Sequence, residues 1–278
     1  VMSANVRADS DFDIFNSDLL SVDVKDGSVT KLTDSTGPES NPSLSPDGKL
    51  IAFTGFDDNG KSNQIDRLYV MNTDGSNVKD LTPNLDRAVG NVKWADNGKG
   101  LYFSYDNAGK KHVAYVSLSG KLTEKTDALG GLSLGRPYTS GDYDATQDGR
   151  VVFTLSTGDR PADLAVLSKR GDMRKLTDLN SDIFGHKTLN KPELIKVKSS
   201  VDERELLAWI VKPPKFDPAK KYPLILEIHG GPHTAYGPEF STEIQMFAAA
   251  GYVVVYGNPR GSTSMGTEFA NLIDKNYP

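Results

Sequence analysis

A sequence pattern that recurs at a period of roughly 45–50 residues limits what this chain can fold into. Three tight-turn sequences each precede a short β-rich run: Ser-Pro-Asp-Gly-Lys at 45–49, Ala-Asp-Asn-Gly-Lys at 95–99 and Thr-Gln-Asp-Gly-Arg at 146–150. Each repeat continues with a strand, a second glycine turn and a last strand ending in Leu-Thr, at 32–33, 81–82, 122–123 and 176–177. Four short strands per repeat are typical of a β-propeller blade.

The repeat predicts an all-β, TolB-like or WD40-like propeller over residues 1–188. We expect three full blades preceded by the outer strands of a fourth, about three and a half blades in all. A propeller usually closes with four to eight blades, so we expect further sequence upstream of this segment. A self-contained β-sandwich also has short strands and regular turns, but the faithful recurrence of the strand pattern favours the propeller.

The composition of the chain excludes several classes of function. A net charge of −5 over 278 residues, with no basic stripe, argues against a nucleic-acid partner. The longest nearly apolar stretch, residues 247–256, is well short of the roughly 20 residues that cross a bilayer, so no membrane span is predicted. The absence of cysteine excludes disulfides and a cysteine nucleophile, and the four histidines lack metal-ligand spacing. No metal or cofactor is therefore predicted, while compartment and oligomeric state are not specified by the sequence.

The sequence pattern changes at about residue 189, where we place the start of a second domain, residues 189–278. Residues 194–197 and 206–211 are predicted to form an antiparallel strand pair, and the apolar runs 222–228 and 252–256 to form buried strands. Between those runs, residues 243–250 form a predicted amphipathic helix with Thr242 as its N-cap and Gly251 just beyond its end. Strand, helix and strand in this order predict a βαβ crossover and an α/β fold with a mainly parallel sheet. A second helix is expected to carry Phe269 and Ile273.

Two motifs follow the two apolar strands of this domain. His-Gly-Gly-Pro-His at 229–233 comes directly after the first strand, and Asn-Pro-Arg-Gly-Ser at 258–262 comes directly after the second. Together, behind a propeller repeat, they resemble the prolyl oligopeptidase family of serine peptidases, most closely its acylaminoacyl-peptidase-like branch. The resemblance covers essentially the whole chain. It implies a propeller that caps an α/β-hydrolase domain and restricts access to a catalytic cavity, with short peptides as substrates and no cofactor.

The resemblance assigns the first motif to the oxyanion hole. Backbone N–H donors stabilise the charge that develops on the carbonyl oxygen during acyl transfer, and an α/β-hydrolase takes one such donor from this loop. We assign the donor to Gly231, with Gly230 as its conformational partner; the alternative is a glycine turn without a catalytic role. The supporting residues implied by the resemblance are His229, Pro232, Asn258 and Arg260.

The histidines and the arginine of the two motifs have more than one possible role. His229 precedes any nucleophile, whereas the hydrolase order is nucleophile, acid and then histidine, so we expect it to brace the loop and not to act as the base. Arg260 is suited to fixing backbone carbonyls or a carboxylate, and the alternative is a solvated side chain. His233 either lines the pocket or faces solvent.

The chain contains one Gly-x-Ser-x-Gly sequence, centred on Ser133, but its setting is wrong for a nucleophile. A nucleophile elbow needs a buried strand before it and a helix after it, whereas residues 131–135 lie inside the repeat and before the oxyanion loop. Ser262 and Ser264 lack the second glycine at the required spacing. We therefore expect the serine, aspartate and histidine of the triad beyond Pro278 and predict that this segment alone is inactive. A non-enzymatic propeller module of the TolB-like kind and an esterase of the α/β-hydrolase class are the alternatives.

Overall fold

A computed structural model describes residues 1–13 and 15–276 of the chain. The chain divides into two compact units: residues 1–105 with 114–124, and residues 106–113 with 125–278. Strands dominate both units in the described residues, and the helices are few and short. This nearly all-β content agrees with the propeller class that the repeat predicts, whereas the number of blades stays a prediction.

The first unit consists of antiparallel sheets. Strands β1 to β3 form a three-stranded sheet and β4 to β7 a four-stranded one, each in sequence order. Strands β9, β10 and β11 each pass from one unit to the other. The bounds are β1 Met2–Ala4, β2 Asp18–Val22, β3 Val29–Lys31, β4 Glu39–Leu44, β5 Leu50–Gly55, β6 Arg67–Asn72, β7 Lys79–Asp80, β8 Gly90–Trp94, β9 Gly100–Asn107, β10 Lys110–Ser117 and β11 Leu122–Leu129.

The turns predicted from the repeat are present between these strands. In the turn between β4 and β5, Gly48 has φ +70°, a conformation that glycine adopts without a Cβ clash. The Ser45 hydroxyl accepts the Leu50 amide at 2.9 Å and closes the turn. Side chains from β5, β6, β9 and β10 form the main core of this unit, which includes Leu68, Leu101 and Phe103.

The second unit contains four further antiparallel strands, β12 to β15, which belong to an eight-stranded sheet that also includes β8 to β11, and a one-turn helix that follows them. The bounds are β12 Tyr143–Ala145, β13 Val151–Thr157, β14 Arg160–Leu167, β15 Met173–Lys175 and α1 Ser181–Phe184. Strands β12, β13, β14 and β15 pair in sequence order. This is the four-stranded pattern expected for the last repeat.

The rest of the second unit is a four-stranded mixed sheet with short helices. The bounds are β16 Glu193–Lys198, β17 Glu205–Val211, β18 Leu224–Ile228, α2 Thr242–Ala249, β19 Val253–Gly257 and α3 Thr267–Ala270, followed by a 3₁₀ helix, Asn271–Ile273. The strand order is β16-β17-β19-β18. Strands β16 and β17 pair antiparallel, and β18 and β19 pair in parallel with α2 between them in the chain. Trp209, Ile244 and Tyr256 belong to the core between α2 and this sheet.

Three details differ from the sequence-based expectations. The sheet of β16 to β19 is mixed, with one parallel pair and two antiparallel pairs, whereas a mainly parallel sheet was expected. The N-cap of α2 is Ser241 and not Thr242, because the Ser241 hydroxyl accepts the Ile244 amide at 3.2 Å and Thr242 is the first helical residue. Strand β18 is not fully buried: Leu224, Leu226 and Ile228 are 61–63% exposed. These three side chains alternate along the strand and so share one face of the sheet, which the described residues leave uncovered. Gly251 follows α2 with φ +97°, as predicted.

None of the helices within residues 1–13 and 15–276 has the length and apolar content needed to cross a bilayer.

Candidate active site

The two sequence motifs lie at the same edge of the mixed sheet. Strands β18 and β19 run in parallel, and Ile228 at the end of β18 is directly opposite Gly257 at the end of β19. The loops that follow parallel strands leave the sheet at the same edge. The His-Gly-Gly-Pro loop and the Asn-Pro-Arg-Gly-Ser loop therefore start side by side, and ligands of open α/β sheets bind outside such carboxyl ends.

His229 joins the two loops through a buried hydrogen bond. Its Nε2 lies 2.9 Å from the Ser262 Oγ, and its Nδ1 lies 3.0 Å from the Gly230 carbonyl oxygen. A carbonyl oxygen only accepts, so the ring donates in the contact at Nδ1. The Ser262 hydroxyl donates to the Pro259 carbonyl oxygen at 2.7 Å. Both ring nitrogens of His229 are thus engaged within the two loops, one with a backbone carbonyl and one with the Ser262 hydroxyl, and are not positioned as a base.

Gly231 has a backbone conformation that residues with a Cβ rarely adopt. Its φ is +132°, and the peptide bond between Gly231 and Pro232 is cis. Among the described residues, no hydrogen bond engages the Gly231 amide. A Cβ at Gly231 would lie 3.1 Å from the Thr234 Cγ2, whereas one at Gly230 would meet no atom within 4 Å. The loop therefore offers an N–H group without a partner inside the protein, which is what an oxyanion donor requires.

Asn258 holds the far end of the same loop. Its Oδ1 accepts the Tyr236 amide at 2.8 Å, and its Nδ2 donates to the Tyr236 carbonyl at 2.9 Å. Asn258 is only 2% exposed, so this reciprocal pair is shielded from water. Beyond it, the Thr263 amide donates to the Thr234 carbonyl at 3.0 Å. These bonds fix the loop of residues 229–236 on the loop that follows β19.

Arg260 and His233 have partners on neighbouring backbone and side chains. Arg260 Nε lies 3.4 Å from the Asp202 Oδ2, so its partner is a carboxylate. Arg204 approaches the same oxygen at 3.0 Å. The Ser199 hydroxyl, followed by the Arg204 amide and the two guanidinium groups, lowers the pKa of Asp202. His233 Nδ1 lies 3.1 Å from the Gly261 carbonyl oxygen.

Three residues of this site were not predicted from the sequence. The Tyr236 hydroxyl donates to the Glu227 Oε1 at 3.0 Å, and Arg136 Nη1 lies 3.2 Å from the same oxygen. Burial, followed by the hydrogen bond to Glu227, raises the pKa of Tyr236. The one available signal was Glu227 itself, a carboxylate inside an otherwise apolar strand, because such a group needs a partner.

The two candidate serines of the sequence occupy settings that do not suit a nucleophile. The Ser133 Oγ donates to the Arg136 carbonyl at 2.7 Å in a loop between β11 and β12, with no helix after it. Ser262 is fully buried. Residues 1–13 and 15–276 contain no group of three or more His, Asp or Glu side chains able to hold a metal ion.

Comparisons with known proteins agree with the resemblance stated from the motifs. Residues 238–278 match the profile of the prolyl oligopeptidase family. The uncharacterized peptidase YuxL of Bacillus subtilis is 30% identical over 184 residues, which are 66% of this chain and 27% of that protein. Dipeptidyl-peptidase 5 of Porphyromonas gingivalis is 27% identical over 267 residues, which are 94% of this chain and 38% of that protein.

Solved structures give the same result. An acylaminoacyl peptidase in complex with Z-Gly-Gly-Phe-chloromethyl ketone is 28% identical, with a TM-score of 0.75 over 92% of this chain and 37% of that one. The uncomplexed acylaminoacyl peptidase of Pyrococcus horikoshii is also 28% identical, with a TM-score of 0.74 over the same shares. The chain thus spans between 27% and 38% of the length of these relatives.

Proposed function

Because this chain belongs to the prolyl oligopeptidase family, we propose that it is part of a serine peptidase and supplies one half of the oxyanion hole. The relatives are peptidases by name, and hydrolysis of short peptides through an acyl-enzyme is the activity that fits this loop. The observation that carries the proposal is the Gly231 amide, which lies beside the carboxyl edge of the sheet and has no partner among the described residues.

We assign the roles of the site residues as follows. The Gly231 N–H donates to the developing oxyanion, with Gly230 as its neighbour in the loop. His229 and Asn258 position the loop, Arg260 holds the loop after β19 through Asp202, and Pro232 follows the donor. The second donor of an α/β-hydrolase is the amide after the nucleophile. We propose that this residue, together with the serine, aspartate and histidine of the triad, lies beyond residue 278.

The same proposal covers the domain organisation. Residues 1–188 would be the last blades of a propeller, and residues 189–278 the start of an α/β-hydrolase domain. The parallel pair β18–β19, with α2 between the two strands in the chain, supports the second assignment. The propeller would limit substrates to short peptides by restricting access to the catalytic cavity. A propeller binding module leaves the crossover and the two motif loops unexplained and is therefore not favoured.

The experiment compares Gly231→Ala with Gly251→Ala in the protein extended to include the proposed triad. Both glycines have positive φ, at +132° and +97°, so both substitutions strain the backbone, but Gly251 lies at the end of α2. Loss of one oxyanion donor typically lowers kcat by about 10²–10³-fold. Gly231→Ala keeps the N–H, but a Cβ strains the φ of +132° and would lie 3.1 Å from the Thr234 Cγ2, so the amide is displaced. We expect this displacement to slow peptide hydrolysis by up to that order with little change in KM, and Gly251→Ala to leave the rate within about twofold. Equal rates for the two variants would contradict the assignment of the Gly231 N–H as the oxyanion donor.

A further inference from the structure

The loop that contains the Gly-x-Ser-x-Gly sequence around Ser133 packs against other elements of the second unit. Residues 130–139 make up most of the connection between β11 and β12, and the proposed function gives them no role. We call them the strap. The strap lies against the start of α2 and against the oxyanion loop.

The carbonyls of the strap accept the first donors of α2. The Leu134 oxygen accepts the Thr242 amide at 2.8 Å and the Thr242 hydroxyl at 2.9 Å. The Gly135 oxygen accepts the Ser241 hydroxyl at 2.7 Å. The first amides of a helix have no partner within the helix. The strap carbonyls therefore accept hydrogen bonds from donors at the start of α2. These bonds also fix the position of Arg136, the residue after Gly135.

Arg136 bridges two carboxylates on different elements. Its Nη1 lies 3.2 Å from the Glu227 Oε1 on β18, and its Nε lies 3.2 Å from the Glu243 Oε2 on α2. The Glu227 side chain is 14% exposed, so its charge is largely removed from water and needs a counter-ion. A planar guanidinium can hold both carboxylates at once, which a lysine ammonium does less well.

Glu227 connects Arg136 to the oxyanion loop. It lies two residues before His229 and accepts the Tyr236 hydroxyl at 3.0 Å. The Tyr236 ring packs edge-on against the His229 ring, with centroids 5.0 Å apart. The strap also pairs with the loop through backbone, since the Thr139 amide donates to the Ala235 carbonyl at 3.1 Å.

We propose that Arg136 is a positioning residue for the oxyanion loop, acting through Glu227 and Tyr236. Arg136 supplies the counter-charge for the Glu227 carboxylate. The carboxylate, held in this way, keeps the Tyr236 hydroxyl and ring in place. The Tyr236 ring in turn restrains His229 and the glycines beside it. The catalytic consequence depends on the proposed function, whereas the structural consequence does not.

The structural arm uses the 278-residue chain and NMR of its four histidine side chains. The variants are Arg136→Met, which keeps the length of the side chain without its charge, and Arg136→Lys. Arg150→Met is the matched control, because Arg150 is a partly exposed arginine of the same unit that pairs with Asp148 at 2.9 Å. We expect Arg136→Met to move the ring signals of His229, Arg136→Lys to move them less, and Arg150→Met to leave them in place. Unchanged His229 signals in Arg136→Met would overturn the proposal.

A double-variant cycle tests whether the effect passes through Glu227. We expect Glu227→Gln to move the His229 signals as Arg136→Met does, and the double variant to move them no further. Additive displacements in the double variant would overturn the route through Glu227.

The catalytic arm uses the protein extended to include the proposed triad. We expect Arg136→Met to lower kcat by about 5–20-fold with KM within about twofold, because the loop acts on the transition state. A structural effect in the first arm without any peptidase activity in the unsubstituted extended protein would leave the positioning role intact and count against the proposed function instead. A fall in stability alone, with kcat unchanged, would overturn the catalytic part of the inference.

Discussion

The Nε2 of His229 lies 2.9 Å from the Oγ of Ser262, the geometry of a serine–histidine pair, in a place that substrate cannot reach. Both residues are buried, and Ser262 has no exposed surface. The contact joins the loop after β18 to the loop after β19 and so fixes the backbone that carries Gly231. A hydrogen-bonded serine and histidine thus act here as a brace.

Removal of the Ser262 hydroxyl should lower the free energy of unfolding, because this serine has a structural role. Ser262→Ala leaves the buried His229 Nε2 without its partner, which costs roughly 1–3 kcal/mol. Urea unfolding of the 278-residue chain measures this cost. Ser133→Ala is the control, since Ser133 lies in the strap and its hydroxyl reaches only the Arg136 carbonyl among the described residues; we expect a change below about 0.5 kcal/mol. Equal stabilities of the two variants would show that the Ser262 contact does not hold the loops together.

Substitution of Asn258 by alanine should lower the free energy of unfolding more than the same substitution of an exposed asparagine. Asn258→Ala removes both hydrogen bonds to the Tyr236 backbone and leaves buried polar groups unpaired, for a loss of about 2–4 kcal/mol. Asn84→Ala, at an exposed position of the first unit, is the control and should change stability by less than about 0.5 kcal/mol. The free energy of unfolding in urea distinguishes the two. A loss below about 1 kcal/mol in Asn258→Ala would contradict the reciprocal pair.

Glu239 should make the stability of the chain depend on pH. Burial, with a smaller contribution from the charge of Asp106, raises the pKa of Glu239 from 4.5 to about 8. A carboxyl with a raised folded-state pKa costs nothing while it is protonated in both states, below about pH 4.5, and destabilises progressively as pH rises to about 8. At the upper limit this loss is roughly 4–5 kcal/mol.

Glu239→Gln should therefore raise the free energy of unfolding at pH 8 by at least about 1 kcal/mol and flatten its decline between pH 4.5 and 8. Glu193→Gln is the control, because the Glu193 side chain is 57% exposed and pairs with Lys212 at the surface. Identical pH profiles for Glu239→Gln and the unsubstituted chain would contradict a buried, protonated Glu239.

Gly130, at the start of the strap, should not tolerate a side chain. A Cβ there would collide with the Glu239 Oε2 and lie 2.9 Å from the Ser156 Cβ, so Gly130→Ala forces a displacement that costs about 1–3 kcal/mol. Gly135, in the same strap, has open space at its Cβ position, so Gly135→Ala should be nearly neutral. Thermal unfolding of the two variants provides the comparison. A Gly130→Ala variant as stable as Gly135→Ala would mean that the strap does not pack against Glu239 as described.

The sequence predicted those features of the fold that depend on residues adjacent in the chain. The turn at Gly48, the strand pair β16–β17 and the start of both motif loops were predicted because turn chemistry and apolar runs are properties of adjacent residues. The N-cap of α2 was misplaced by one residue, since serine and threonine at 241 and 242 are both good caps. Only the hydrogen bond from Ile244 identifies Ser241.

The contacts that hold the candidate site were beyond the sequence. Asp202 meets Arg260, and Arg136 meets Glu227, across 58 and 91 positions of the chain respectively. Nothing in either local sequence selects the partner, because tertiary packing decides which charges meet. The exposure of Leu224, Leu226 and Ile228 was equally unpredictable, since an apolar run does not reveal whether both faces of its strand are covered by other elements.

We propose that this chain contributes an oxyanion loop to a serine peptidase whose nucleophile lies beyond residue 278. Intact-mass analysis after treatment with a fluorophosphonate probe tests it directly, on the 278-residue chain and on the protein extended through the proposed triad. We predict no adduct on the 278-residue chain and one adduct per molecule on the extended protein. A stoichiometric adduct on the 278-residue chain would place an activated serine within it, with Ser133 the first to test, and would contradict the account.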